Sequence, residues 1–223
     1  NVTAKQMLVN VEEESGNYSS AICYVNELLE INPYWQGLWR KKIGLYRKQN
    51  NHVEADRLLK RLHQIYPNDS VVTNEYAYNL EESYVKQRKE GKPESAISSL
   101  YELVRVMPEN ETYYMDLVNL LLQQGNVEEA LEVSGKGVSR MPYSSNLIMK
   151  KAGILAEEGR YQEAIAFVQS RMKYNRSARL ASFSNALLAE AANAAKMNDP
   201  YLLYGRLYEK TASDEALDYL ISA

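Results

Sequence analysis

Apolar residues recur along the chain at the spacing of one helix face, and glycines interrupt them at regular places. In the stretch YYMDLVNLLLQQG, the positions i, i+3, i+4 and i+7 are apolar, namely Tyr114, Leu117, Val118 and Leu121. That spacing is typical of a single stripe on an α-helix. Gly125 follows the stripe and predicts a left-handed C-cap, and a second helix is expected to begin near Val127. The pattern therefore predicts a helical hairpin.

The hairpin pattern repeats. Alanines stand at intervals of 34, 41, 34 and 34 residues, at Ala21, Ala55, Ala96, Ala130 and Ala164. Prolines follow the same intervals of 34, 41 and 34 residues, at Pro33, Pro67, Pro108 and Pro142. Because two residue types share the same period, internal repetition is the main signal of this sequence.

Each repeated residue type has a physical role in such a hairpin. Alanine is expected where the second helix crosses the first, because a larger side chain would hold the two backbones apart. Proline ends the unit, since its ring disfavours a helical conformation at the preceding residue yet suits the first turn of the next helix. Hairpins of this kind bury a continuous core only when they stack on one another.

These features resemble the tetratricopeptide repeat family, whose unit is 34 residues long. The second repeat carries the expected residues at Trp39, Tyr46, Ala55 and Pro67, and the fourth at Tyr114, Leu117, Gly125, Ala130 and Pro142. The resemblance covers about residues 2–178. Two positions depart from it: Asn50 replaces a glycine but tolerates the same backbone geometry, and Arg176 replaces a proline.

The resemblance implies an all-α fold, a right-handed α–α superhelix of about six hairpins plus a terminal helix. Five repeats are expected over residues 2–35, 36–69, 70–110, 111–144 and 145–178. Residues 179–223 are expected to form a degenerate sixth hairpin and the start of a further helix.

The third repeat has seven extra residues, close to two helical turns, and predicts a long first helix that projects beyond its neighbours. Deletion of residues 81–87 is accordingly expected to leave the fold intact.

Two glycines, Gly135 and Gly137, fall in the interior of the second helix of the fourth repeat. Each costs up to about 1 kcal/mol relative to alanine in a helix. Gly137 falls where the family favours alanine, so close packing is expected there. Gly135 is expected on an outer face, where alanine would be stabilising.

Composition limits the classes of partner. The net charge of −3 and the pI near 5.6 argue against a nucleic acid or an anionic membrane, since both require a positive field. No apolar run is long enough to cross a membrane.

The chain begins at Asn1, and we expect a fragment of a longer, soluble protein from the cell envelope, the periplasm or the cytoplasm. The oligomeric state stays open.

Motifs for catalysis and for cofactor binding do not occur in the sequence. His52 and His63 lie eleven residues apart with no cysteine nearby, which does not fit the usual ligand spacing of a zinc site. No phosphate-binding loop or nucleophile elbow occurs. Cys23 and His52 are expected to pack in the core. We therefore predict that the chain is not an enzyme and binds no cofactor or metal.

In the resembled family, four positions of each first helix face the inner groove, which is the natural binding surface. The groove residues predicted in this way are Gln6, Asn10, Arg40, Arg47, Asn74, Tyr78, Met115, Asn119, Leu122, Met149 and Gly153. The groove is thereby expected to be polar and basic in the first two repeats, and apolar in the fourth and fifth. The carboxylate clamp of some family members is not reproduced, because Lys41 replaces one of its asparagines.

The resemblance implies a non-catalytic protein-interaction scaffold that binds a peptide or a partner segment in this groove. The alternative is a structural spacer whose groove is covered by the rest of its own chain. RNA binding is disfavoured because stacking groups do not recur at one groove position.

Residues 40–63 carry eight cations and two acids, a local balance of +6. Either this cluster is a solvated face beside acidic neighbours, or it docks an anionic peptide or phosphate.

Overall fold

The computed structural model describes residues 1–197, and the elements in this range are α-helices joined by short turns. No strand occurs in the described range, so the predicted all-α fold is confirmed there. The helices are α1 (Val2–Glu14), α2 (Tyr18–Ile31), α3 (Gln36–Lys48), α4 (His52–Ile65), α5 (Ser70–Lys89), α6 (Pro93–Val106), α7 (Glu111–Gln123), α8 (Val127–Arg140), α9 (Ser145–Glu157), α10 (Tyr161–Met172) and α11 (Ala178–Met197).

The chain divides into two compact units, Asn1–Met107 and Pro108–Ala223. In the first unit, three hairpins pair α1 with α2, α3 with α4, and α5 with α6, and the hairpins stack through α2 on α3 and α4 on α5. In the second unit, α7 pairs with α8 and α9 with α10, and α11 packs against α9 and α10. The rest of the predicted sixth hairpin and the terminal helix, residues 198–223, lie outside the described residues.

The turns between paired helices use left-handed backbone where the sequence predicts it. Gly125 has φ +77°, and its N–H donates to the carbonyl of Leu122 at 3.0 Å. Within the described residues, one of these left-handed turns has no glycine, and there Asn50 adopts φ 57°. Asparagine reaches this conformation at lower cost than most residues because its short polar side chain bonds locally. Both predictions are confirmed.

Side chains at the helix starts satisfy backbone N–H groups that have no partner within the helix. Asp69 accepts from the N–H groups of Val71 and Val72 at 3.0 and 2.9 Å. Ser144 accepts from the N–H of Leu147 at 3.1 Å. Both caps lie two residues after the proline that closes a repeat, so the proline and the cap together fix where the next helix begins.

The core of each hairpin is built around its repeated alanine. Ala21, Ala55, Ala96, Ala130 and Ala164 all have no solvent-exposed surface. Around them pack larger side chains that are also fully or nearly fully buried, such as Leu28, Leu62, Leu100, Leu121 and Ile148. The small residue lets the two helices approach, and the large ones fill the space on either side.

The extra turns of α5 are not a free projection. Tyr84 lies within them and is buried, and Gln87 accepts a hydrogen bond from the Ser99 hydroxyl of α6 at 2.9 Å. Further along the pair, the Tyr76 hydroxyl donates to Glu102 at 2.9 Å. Helix α6 therefore packs against the C-terminal two-thirds of α5. Deletion of residues 81–87 would remove side chains that pack against α6, so the structure argues against the expectation that it leaves the fold intact.

Three residues lie in surroundings other than those expected. Cys23 and His52 are exposed, so neither packs in the core. The buried histidine is His63, which stacks on Tyr76 with ring centroids 5.0 Å apart. Gly135 does not face open solvent, because a Cβ there would lie 2.9 Å from the ammonium nitrogen of Lys151 on α9. Periodicity shows which face of a helix is apolar, but it does not show which long side chain from the next repeat crosses over it.

The two interior glycines of α8 are predicted to respond in opposite ways to alanine. At Gly137 a Cβ would lie 3.0 Å from the ring of Tyr114 and 3.2 Å from Leu147, and both neighbours are buried. Gly137→Ala should therefore destabilise by about 1–3 kcal/mol through overpacking. At Gly135 only the flexible end of Lys151 must shift, so Gly135→Ala should be stabilising by about 0.4–1 kcal/mol. Urea unfolding of the two variants measures both values, and equal signs would contradict this account of α8.

Candidate functional site

A hollow of about 250 Å³ opens between the first helices α1 and α3 of the first unit. The predicted groove residues Gln6 and Asn10 both line it, on one face of α1. Trp35, Gly37, Leu38, Lys41 and Val9 complete the lining. The hollow thus combines two amide side chains, one ammonium and an indole, groups that can bond a peptide backbone and cover an apolar side chain.

Trp35 and Lys41 were not among the residues predicted for this surface. Trp35 is the N-cap of α3, half-buried, and its indole lies 3.7 Å from where a Gly37 Cβ would be. The signal for it was a large aromatic residue directly before a first helix. From the sequence, Lys41 was predicted only to replace an asparagine of the carboxylate clamp.

Glu13 holds two lysines of α3 beside this hollow. It forms ion pairs with Lys41 and, at 2.7 Å, with Lys48. Burial alone would raise the pKa of the Glu13 carboxyl, but the hydrogen bonds and charges of the two lysines outweigh it and the pKa is lowered. This carboxylate fixes α1 against α3 and sets the position of the one ammonium that lines the hollow.

The remaining predicted residues of the first unit do not line the α1–α3 hollow. Arg40 forms an ion pair with Glu75 of α5 at 3.7 Å, and Arg47 and Asn74 are exposed. Tyr78 is 62% exposed and lines a separate surface hollow of about 610 Å³ along α5. A hydrogen bond to Glu82 raises the pKa of Tyr78. The first helices of the three hairpins in this unit thus carry two separate hollows, the two ion pairs of Glu13 and the Arg40–Glu75 ion pair.

In the second unit, the predicted residues belong to α7 and α9. Met115, Leu122, Met149 and Gly153 are half-buried and Asn119 is exposed. A Cβ at Gly153 would meet nothing within 4 Å, so the surface above it is open. Two methionines and a leucine beside an open glycine make an adaptable apolar surface.

The described residues hold no group of three or more histidine, cysteine, aspartate or glutamate side chains placed to bind a metal ion. Of the helices within residues 1–197, none is long and apolar enough to span a bilayer.

Comparison with known families identifies the repeat class. Residues 87–134 match the model of a family described as the tetratricopeptide repeat. Over those residues the chain is similar to this family, in agreement with the resemblance predicted from the spacing of alanine, glycine and proline. Repeats of this class generally serve as protein-interaction scaffolds and are typically not catalytic. No curated protein sequence matches the chain.

Similar solved structures are repeat proteins of low sequence identity. The TPR2AB domain–pHSP90 complex of yeast Sti1 is 14% identical with a TM-score of 0.43, and the match covers 86% of each chain. TTC0263, a thermophilic TPR protein of Thermus thermophilus, is 16% identical with a TM-score of 0.39 over 85% of this chain and all of its own. The Naa15/Naa10 structure with bound HypK-THB is 17% identical, TM-score 0.44, over 98% of this chain and 33% of that one. At these values, the partners of those proteins carry no inference about this chain.

The double ion pair of Glu13 gives a pH-dependent prediction. Glu13→Gln should destabilise the protein by about 1 kcal/mol at pH 7, the upper end of the range for exposed pairs. Because folding lowers the pKa of this acid below its ordinary value of 4.5, the stabilisation is present above pH 4.5 and is lost as the pH falls through the folded pKa. Urea unfolding of both proteins at neutral and acid pH should show the difference shrinking in acid. A difference that stays constant would mean that Glu13 acts through packing.

Proposed function

We propose that the chain is a non-catalytic scaffold that binds an extended peptide or partner segment against its first helices. The single observation that carries the proposal is the α1–α3 hollow, where Gln6 and Asn10 lie beside Trp35 and Lys41. Amide side chains can donate to and accept from a peptide backbone, which gives affinity without requiring one sequence. The indole offers a flat apolar surface for a side chain of the ligand.

The inner face of α7 and α9 supports the proposal in a different way. Its half-buried methionines and leucine can repack around an apolar side chain, and the open surface at Gly153 leaves room for a backbone to approach. An apolar stretch of a partner suits this surface. In binding of this kind, a helix or an extended segment of the partner lies in a groove that is already formed.

Selection of peptides on the chain, followed by variant binding, tests the proposal. A displayed peptide library is selected on residues 1–223, and the affinity of the best peptide is measured by calorimetry. The double variant Gln6→Ala and Asn10→Ala should weaken binding by about tenfold, since two hydrogen-bonding groups are lost. A matched control removes two exposed amides outside the first helices, Gln64→Ala and Asn68→Ala, and should leave the affinity unchanged.

The same experiment addresses the spacer alternative. If the rest of a longer chain covers the groove, the fragment should bind the selected peptide and the longer chain should not. If the groove variant and the amide control weaken binding equally, or if no peptide is selected, the groove is not the binding surface and the proposal fails.

A further inference from the structure

The structure separates the basic cluster of residues 40–63 into paired and unpaired cations. Four of its cations form ion pairs: Arg40 with Glu75, Lys41 and Lys48 with Glu13, and Arg57 with Glu54. Of the two acids within the cluster, Asp56 accepts instead from the Asn79 amide at 2.7 Å. Half of the eight cations are therefore ion-paired, and the other four are Lys42, Arg47, Lys60 and Arg61.

Two of the remaining cations share one aromatic ring. The Lys42 ammonium lies 5.7 Å, and the Arg61 guanidinium 5.4 Å, from the ring centroid of Trp39. Among residues 1–197, neither cation is in ion-pair contact with a carboxylate. Glu54, whose charge acts on Lys42, is held by Arg57 through two hydrogen bonds. The ring attracts both cations but supplies no net negative charge.

Lys42 occupies a position of the repeat that holds a lysine again in the fifth repeat, Lys151, and a leucine in the fourth. It lies thirteen residues before Ala55, as Leu117 lies thirteen before Ala130. Leu117 has no exposed surface, so the fourth repeat uses this position for the core. Burial lowers the pKa of Lys42, Glu54 raises it, and the neighbouring Arg57 and Arg61 lower it further. A half-buried cation is thus present where a leucine would pack.

This site lies away from the proposed groove. The residues that line the α1–α3 hollow include Leu38 and Lys41 but none of Trp39, Lys42 and Arg61. Trp39 and Lys42 belong to α3 and Arg61 to α4, so the cluster spans the two helices of one hairpin. A ligand bound at the cluster therefore contacts residues other than those that line the hollow.

We propose that Trp39, Lys42 and Arg61 form a second docking site, spanning α3 and α4, that binds an acidic segment of a protein partner. Successive carboxylates on an extended peptide can reach both cations and supply the negative charge that Trp39 does not. The site stands independently of the groove.

An acidic peptide suits the site better than a nucleic acid. The chain carries a net charge of −3, and a long polyanion would meet the carboxylates around the cluster as well as its two cations. A short acidic segment places its charge at the cluster alone. Binding through two partly exposed cations should weaken as ionic strength rises.

Fluorescence anisotropy of labelled peptides on residues 1–223 tests this assignment. Fluorescein-labelled octaglutamate should bind in a salt-sensitive way and octaglutamine should not. The double variant Lys42→Gln and Arg61→Gln should weaken octaglutamate binding by about tenfold. The control Lys86→Gln and Lys89→Gln removes the same charge from exposed cations of α5 in the same unit and should leave binding within about twofold.

Two further variants make each outcome decisive. Lys42→Leu removes one cation and places at this position the leucine of the fourth repeat, which should keep the hairpin packed. This variant should also weaken octaglutamate binding, and it provides the test if the double variant does not fold. Gln6→Ala with Asn10→Ala should leave octaglutamate binding intact, because the groove is a separate surface. Equal losses in the cluster variant and the α5 control would show diffuse electrostatic attraction and overturn the proposal. Tighter binding of an oligothymidine of equal length would overturn it in favour of nucleic acid.

Discussion

The close approach of two helices at a small residue is the constraint on which the described hairpins depend. Each hairpin carries an alanine with no exposed surface, and the side chains around that alanine are large and buried. A leucine at the crossing would need space that the neighbouring side chains already occupy, and cores respond to overpacking by off-rotamer side chains and backbone shifts. Each repeated alanine along the chain therefore marks one helical hairpin of the structure.

This constraint also decides which surfaces are available for binding. Since one side of each first helix is used for packing, a partner can contact only the remaining residues. The predicted groove residues are among these, namely amides in α1, arginines in α3 and methionines in α7 and α9. The position thirteen residues before the repeated alanine differs between repeats. It is Leu117 in the fourth repeat, with no exposed surface, and Lys42 in the second, where the ammonium lies 5.7 Å from the ring centroid of Trp39.

The sequence could predict the features that depend on local geometry. The left-handed turns at Gly125 and Asn50, the buried alanines and the all-α fold follow from residue type and period. It could not predict which long side chains meet across repeats, such as Glu13 with Lys48, because those contacts depend on how the hairpins superpose. The seven extra residues of α5 show the same limit. They keep the apolar stripe in phase whether the added turns project or pack, and the buried Tyr84 and the Ser99–Gln87 hydrogen bond show that they pack.

The most direct test of the crossing constraint compares two alanines of α10 that are two residues apart. Ala164 has no exposed surface, whereas Ala166 is exposed on the same helix. Thermal and urea unfolding of Ala164→Leu should show a loss of about 1–3 kcal/mol, because the leucine forces α9 and α10 apart, while Ala166→Leu should change stability by less than about 0.5 kcal/mol. Equal stability of the two variants would contradict the account, because it would mean that the hairpin does not depend on a small residue at its crossing point.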